Sequence, residues 1–317
     1  MGIELTRRTF LSLAAGSLLA EDRPLRGIFP IMATPFTESK AVDYEDLARE
    51  VGFLERCGVH GMVWPQLASE YVTLTKEERL RGMEVIAKAA AKRKATLVFG
   101  VQGPNLDAAM EYLRKAEELG PDALIAIPPT EAASVEDFGR YYSTLAGATR
   151  KPIFVQTTGG AKGITPGTDF LIALAKKHPN LGYIKEEAEP VITRMTALAA
   201  ARPAIRSVFS GQAGKGMLYE WRLGMDGTMP GSPYSDVYVA IWDAWQGGDK
   251  ARARQIFSQL LLLINLDQVI PGVRQYAMKK RSVFKTTVSR RQQVKLSAQA
   301  VDEIEYCLDA LKPYFKA

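Results

Sequence analysis

A chain of 317 residues that is 47% hydrophobic and 24% charged can bury a substantial core and has room for one large α/β domain, which excludes a disordered or fibrous protein. Its formal charge of +6, from 41 basic against 35 acidic residues, is spread along the chain; the densest basic run, MKKRSVFKTTVSRRQQVK at 278–295, lacks the interleaved aromatics and motifs of a nucleic-acid binder and reads as solvation of a helix pair. Cys57 and Cys307 fit no paired zinc or redox spacing, so a disulfide is neither required nor excluded.

The first element in chain order is an address. TRRTFLSLAAGSLLAED carries paired Arg7 and Arg8, then an apolar run from Phe10 to Ala20 that stops at Glu21 and Asp22. This is the pattern of a twin-arginine export signal at residues 1–20, and the run is about half of the roughly 20 residues that cross a bilayer. The expectation is a removable leader, an exported (periplasmic) protein, and no membrane association after processing.

Short apolar runs of strand composition follow at 27–36, 61–66, 95–102, 123–129, 152–158, 181–187, 206–211 and 227–233. Helical spacing fills the intervals, as in NLDAAMEYLRKAEELG, where Leu106, Met110, Leu113 and Ala116 recur at steps of three to four and Gly120 is a stop signal. Eight such units predict an α/β fold of the (β/α)8 barrel type, because an open doubly wound sheet would carry a Gly-rich loop after its first strand, and that loop here reads ATPFTESKAVD. The barrel is expected over 21–235, with a C-terminal extension of three helical stretches over 236–317.

Within the sixth run, NLGYIKEEAEP, Lys185 is flanked by Tyr183 and Ile184 and followed by Glu186 and Glu187. Strand alternation sends Ile184 toward the helices and therefore Lys185 into the barrel, near the C-terminal end where barrel enzymes keep their chemistry. A desolvated lysine loses its preference for the ammonium form and becomes a carbonyl nucleophile, whereas Glu187 on the same side opposes that shift.

From about residue 25 onward the chain resembles the dihydrodipicolinate synthase and N-acetylneuraminate lyase family of class I aldolases. The resemblance is carried by GIFPIMATPFT with VDYEDLAREVGFLERCGVHGMV, by SEYVTLTKEER at 69–79, by KPIFVQTTGGAKG at 151–163, by YIKEE and by VFSG. It implies that Lys185 forms a Schiff base with a 2-oxo acid or 2-oxo sugar acid, that no metal or other cofactor is used, and that the protein is a homotetramer or homodimer.

The chain departs from the family at several positions. The second-strand loop, usually Gly-Thr-Thr-Gly-Glu, is QLASE, so Leu67 and Ala68 replace two hydroxyl donors while Glu70 is kept. Gln156 stands at the fifth-strand tyrosine, Ala161 with neighbouring Lys162 at the following arginine, and Thr130 at the tyrosine donated across a subunit contact. Glutamine has no proton to exchange near neutral pH. Tyr71, Glu70 or Glu187 are candidates to replace the relay; otherwise the reaction needs none, or the protein binds an oxo acid without converting it. The expected site is catalytic Lys185 and Gln156, with Ala68, Ser69, Glu70, Thr158, Lys162, Gly211 and Met229 binding substrate and Thr157, Gly159 and Gly160 as further contributors. His60 and His178 precede strands two and six, at the wrong end of a barrel for catalysis, and no metal-ligand spacing occurs.

Overall fold

A computed structural model describes residues 25–317; the leader expected at 1–20 lies outside the described residues. Each of the eight apolar runs contributes a strand: β1 Gly27–Ile28, β2 Gly61–Trp64, β3 Thr96–Gly100, β4 Ala123–Ala126, β5 Ile153–Gln156, β6 Tyr183–Glu186, β7 Ser207–Ser210 and β8 Gly227–Thr228. They pair in parallel in the order β1-β8-β7-β6-β5-β4-β3-β2. The gap between β1 and β2 is closed by a bridge between Ile31 and Val63, where the Met32 amide donates to the Val63 carbonyl at 2.9 Å. The alternation of short apolar runs with amphipathic helices thus produces the expected (β/α)8 barrel.

The helices form where local chemistry starts and stops them. In α1, Tyr44–Cys57, the Asp43 side chain accepts from the Glu45 and Asp46 amides. In α2, Lys76–Ala89, Thr75 and Glu78 cap each other reciprocally. In α3, Leu106–Leu119, Asn105 caps the start, and Gly120 ends the helix at φ +64°, the left-handed conformation that glycine adopts without steric cost. The outer ring continues with α4 Val135–Gly147, α5 Thr168–Lys177, α6 Val191–Ala200, α7 Met217–Arg222 and α8 Ser235–Gln246. The segment drawn as an extension from 236 therefore begins with the barrel's own eighth helix, and α9 Lys250–Val269, α10 Val273–Lys280 and α11 Ala298–Leu311 follow it.

Strand alternation separates two apolar layers. Ile28, Trp64, Leu97, Phe99 and Ile184 face the helices, whereas Phe29, Val63, Val98, Phe154, Phe209 and Met229 fill the barrel. Phe29, Phe154 and Phe209 meet edge to face, with centroids 5.0–6.3 Å apart. Above this plug, toward the C-terminal ends of the strands, the interior becomes polar.

The basic run at 278–295 does not solvate a helix pair as expected. Beyond α10 it is non-helical as far as Leu296 and crosses back over the barrel, pairing with acidic residues at the starts of the helices. Arg281 grips buried Asp236, Lys285 reaches Asp43 at 3.1 Å and Glu45 at 2.7 Å, and Arg290 holds both Glu78 oxygens at 2.6 and 2.7 Å. Carboxylates gathered at the N-termini of α1, α2 and α8 supply the complementary charge, which no window of the basic run reveals.

Candidate active site

Strands β5 and β6 pair with Gln156 opposite Lys185, and β6 pairs with β7 so that Lys185 stands opposite Phe209. All three side chains point inward, as the outward burial of Ile184 requires. Lys185 is 2% exposed, and its Nζ donates to Gln156 Oε1 at 3.1 Å and lies 3.4 Å from Glu187 Oε2. The two glutamates after the lysine divide between the faces of the sheet. Glu186 points outward, where Oε1 accepts from Thr157 Oγ1 at 2.5 Å and the Ala188 amide at 2.8 Å, and Oε2 meets Arg194 on α6 at 3.1 Å. Glu187 stays with the amine instead of tipping outward.

Two further hydrogen bonds fix Glu187. Thr158 Oγ1 donates to Oε2 and the Gln212 amide donates to Oε1, both at 3.1 Å, while Gly211 clears the space beneath it. A Cβ at Gly211 would stand 1.7 Å from Glu187 Oε1, so only glycine fits under this carboxylate. Burial pushes the Glu187 carboxyl up, but the Lys185 ammonium, the Gln212 amide and the Thr158 hydroxyl outweigh it and hold the group below the usual carboxylate value. Glu187 is thus ionised at neutral pH and placed to take a proton from the amine. Gln156 is oriented in turn, its Nε2 donating to the Thr158 carbonyl at 3.2 Å.

The structure brings Lys185, Gln156, Thr158, Glu187 and Gly211 into one cluster, with Met229 in the apolar layer that fills the barrel. Other expected residues are committed elsewhere. Ser69 is fully buried, its hydroxyl donating to the Met32 carbonyl at 2.5 Å and accepting from the Gln66 amide at 3.0 Å, so it fastens the second-strand loop to the first. Glu70 turns to the C-terminal segment, where its Oε2 accepts from the Arg290 and Arg291 amides, each at 3.0 Å. Thr157 faces outward with Glu186. Lys162 is exposed on the β5 loop and has no ion-pair partner among the described residues. Gly159 adopts φ +89°, a backbone conformation that favours glycine, and a Cβ there would also sit tightly against Ile127 and Leu67, at 3.1 and 3.2 Å.

Of the three candidates to replace the tyrosine relay, Glu187 alone lies within reach of the amine. Glu70 is taken by the backbone amides, and the half-buried Tyr71 ring lies near the Arg79 guanidinium, with desolvation pushing its phenol up. Strand alternation already put Glu187 on the side of Lys185 and Glu186 on the other, but the partners that hold each carboxylate were not legible, because Arg194 and Gly211 come from other units. His60 Nδ1 accepts from the Ile28 amide at the opposite end of the barrel, and no metal-binding cluster occurs among the described residues.

The sequence profile of the Dihydrodipicolinate synthetase family matches residues 24–311. The 4-hydroxy-tetrahydrodipicolinate synthase of Parabacteroides distasonis is 28% identical over 194 residues, covering 61% of this chain and 65% of that protein. The chain thus spans just under two thirds of that relative's length. The L-2-keto-3-deoxyarabonate dehydratase of Azospirillum brasilense is 26% identical over 253 residues, 78% of this chain and 81% of that protein. The solved 4-hydroxy-tetrahydrodipicolinate synthase of Methylacidiphilum fumariolicum superposes with a TM-score of 0.81 at 21% identity, over 92% of this chain and 97% of that one, a likeness of fold.

Proposed function

The chain belongs to the Dihydrodipicolinate synthetase family, and from that premise we propose that it is a Schiff-base lyase acting on a 2-oxo acid or 2-oxo sugar acid. The observation that carries this reading is the enclosed Lys185 amine, held between Gln156 Oε1 and the Glu187 carboxylate at the C-terminal mouth of the barrel. Glu187 takes a proton from the ammonium. The freed amine attacks the ketone carbon, forming the C–N bond as the C=O π bond breaks; Glu187 passes its proton to the oxygen, giving a hydroxyl, and takes one from the now positively charged nitrogen. That hydroxyl leaves as water with a proton returned by Glu187, and the resulting iminium withdraws electrons from the neighbouring carbon. Gln156, which donates and accepts without titrating, positions the amine in place of a hydroxyl relay.

The second-strand loop, with Leu67 and Ala68 and with Ser69 and Glu70 engaged by the scaffold, favours a substrate whose carboxylate is received differently from that of the synthases. The test is incubation with pyruvate and a panel of 2-oxo sugar acids, borohydride reduction and intact-mass measurement. One adduct per chain at Lys185 is expected. Binding of an oxo acid with no trapped adduct would instead identify a non-catalytic binding protein on the same barrel.

Two further readings belong to this proposal. Assembly as a homotetramer or homodimer follows the habit of the family, and sedimentation decides it. Residues 1–20 act as a twin-arginine export signal, so replacing Arg7 and Arg8 with lysine strands the precursor in the cytoplasm. Unchanged export of that double variant would refute the assignment.

A further inference from the structure

Helix α9 turns Ile256, Leu260 and Leu263 to the core, and on the side opposite them an exposed stripe runs its whole length. Ala251, Gln255, Ser258, Leu262, Asn265 and Val269 form it at alternating steps of four and three, with Leu262 54% and Val269 67% exposed. That spacing is the seam of a coiled coil. The stripe carries no charge, although the solvent face of a lone surface helix ordinarily does. An identical helix laid antiparallel across it, with the two-fold axis level with Leu260, pairs the stripe with itself at every position. Ala251 meets Val269, Gln255 meets Asn265, and Ser258 meets Leu262. Each large apolar side chain then faces a small one, and the two amides donate to and accept from each other.

The two ends of the helix carry complementary charge. Acidic residues open α1, α2 and α4, as the helix dipole favours. After its cap Asp249, α9 has none in its first turn and opens with Lys250, Arg252 and Arg254, which have no ion-pair partner among the described residues. At the other end the first turn of α11 lies beside Val269, where Glu303 shares an open recess of about 500 Å³ with Val269, Leu296 and Lys295. Asp302 precedes Glu303, so two carboxylates outnumber the lysine there, and neither has an ion-pair partner among the described residues. We propose that α9 is a self-association surface, at which two copies of this chain pair antiparallel and set the basic first turn of each against the acidic end of the other. The 20 residues of α9 extend about 30 Å, too narrow a strip to bury the roughly 800 Å² per partner of a standard interface, so the exposed Tyr306 and the recess on α11 belong to the contact and the pair is a weak one. The pairing is independent of the chemistry at Lys185. It also uses an element other than the β4 loop that carries Thr130, so assembly through that loop and pairing through α9 are separable.

The test is sedimentation combined with cysteine crosslinking. Wild type at about 100 µM should sediment as the pair or a multiple of it, and Leu262→Glu should halve that mass by raising the dissociation constant about a hundredfold, a tenfold step for each of the two carboxylates that symmetry places in the seam. Arg252→Glu/Arg254→Glu should weaken the pair about tenfold. All these positions are exposed, and thermal unfolding of each variant checks that the fold is kept. Disulfides read the register. Ser258→Cys/Leu262→Cys should form a covalent dimer on mild oxidation, whereas Ala251→Cys/Gln255→Cys, whose seam partners are Val269 and Asn265, should not. The native Cys57 and Cys307 are buried and do not compete. A wild type that is monomeric at that concentration, a Leu262→Glu protein of unchanged mass, a charge-reversed variant that pairs as tightly as wild type, or equal crosslinking of the matched and mismatched cysteines overturns the pairing.

Discussion

The rim of β5 and β6 and the loop after β2 lie on the same end of the barrel, and both carry polar residues that the sequence nominated for the site, yet they use them differently. In the loop, Ser69 and Glu70 satisfy backbone groups, tying it to Met32, Gln66 and the Arg290–Arg291 amides. At the rim, Gln156, Thr158 and Glu187 satisfy one another and the Lys185 amine. Both networks bury polar atoms with partners, as folding demands. Under the proposed reading the chemistry belongs to the network built around the Lys185 amine, and a polar residue near the mouth is not by that fact part of the site.

Removing the centre of the rim network has the largest expected effect. Lys185→Ala should abolish borohydride trapping while circular dichroism shows a folded barrel; an adduct that persists would place the chemistry elsewhere. Glu187→Gln keeps the shape and removes the proton acceptor, and turnover should fall by about 10²–10⁴. Gly211→Ala should reproduce most of that loss by displacing Glu187, and a normal rate in it would break the link between the carboxylate and the reaction.

Acid titration sharpens the same contrast. Because the Glu187 carboxyl is held below its ordinary value, the stability it lends is present above roughly pH 4.3 and is lost as the pH falls through its lowered folded-state value. Wild type should therefore lose its melting-temperature advantage over Glu187→Gln on acidification, whereas an advantage unchanged at low pH would contradict the pairing with Lys185.

On the loop side, Glu70→Ala should cost about 1–3 kcal/mol of stability by leaving two amides without their acceptor, with Glu70→Gln recovering part of it. Pyruvate trapping that collapses in both variants at temperatures where they remain folded would return Glu70 to the site.

A third carboxylate tests whether burial without an ionic partner gives the opposite pH response. Glu50 on α1 is fully buried, accepts from the Ala33 amide at 3.0 Å, and is pushed up to about 8 by burial. Its contribution is full below the unfolded value near 4.3 and declines as pH rises toward 8. Glu50→Gln should flatten the fall in melting temperature between pH 5 and pH 8, the smallest of these effects, and an unaltered slope would exclude Glu50 as its source.

The sequence by itself determined the barrel and the direction of Lys185. Eight apolar runs, the spacing of the helices between them, caps such as Asn105 and Gly120, and the alternation that buries Ile184 outward are all properties of short windows, and a local pattern survives folding because it is what the folding elements are made of. Tertiary structure alone decided which polar residues serve the amine. Gln156 meets Lys185 across 29 positions, Gly211 makes room for Glu187 from the next strand, and Glu70 finds its amides 220 and 221 residues away in a basic segment that reads in isolation as helix solvation. A hydrogen bond is satisfied by whatever lies about 3 Å away in space, and chain separation carries no record of that distance.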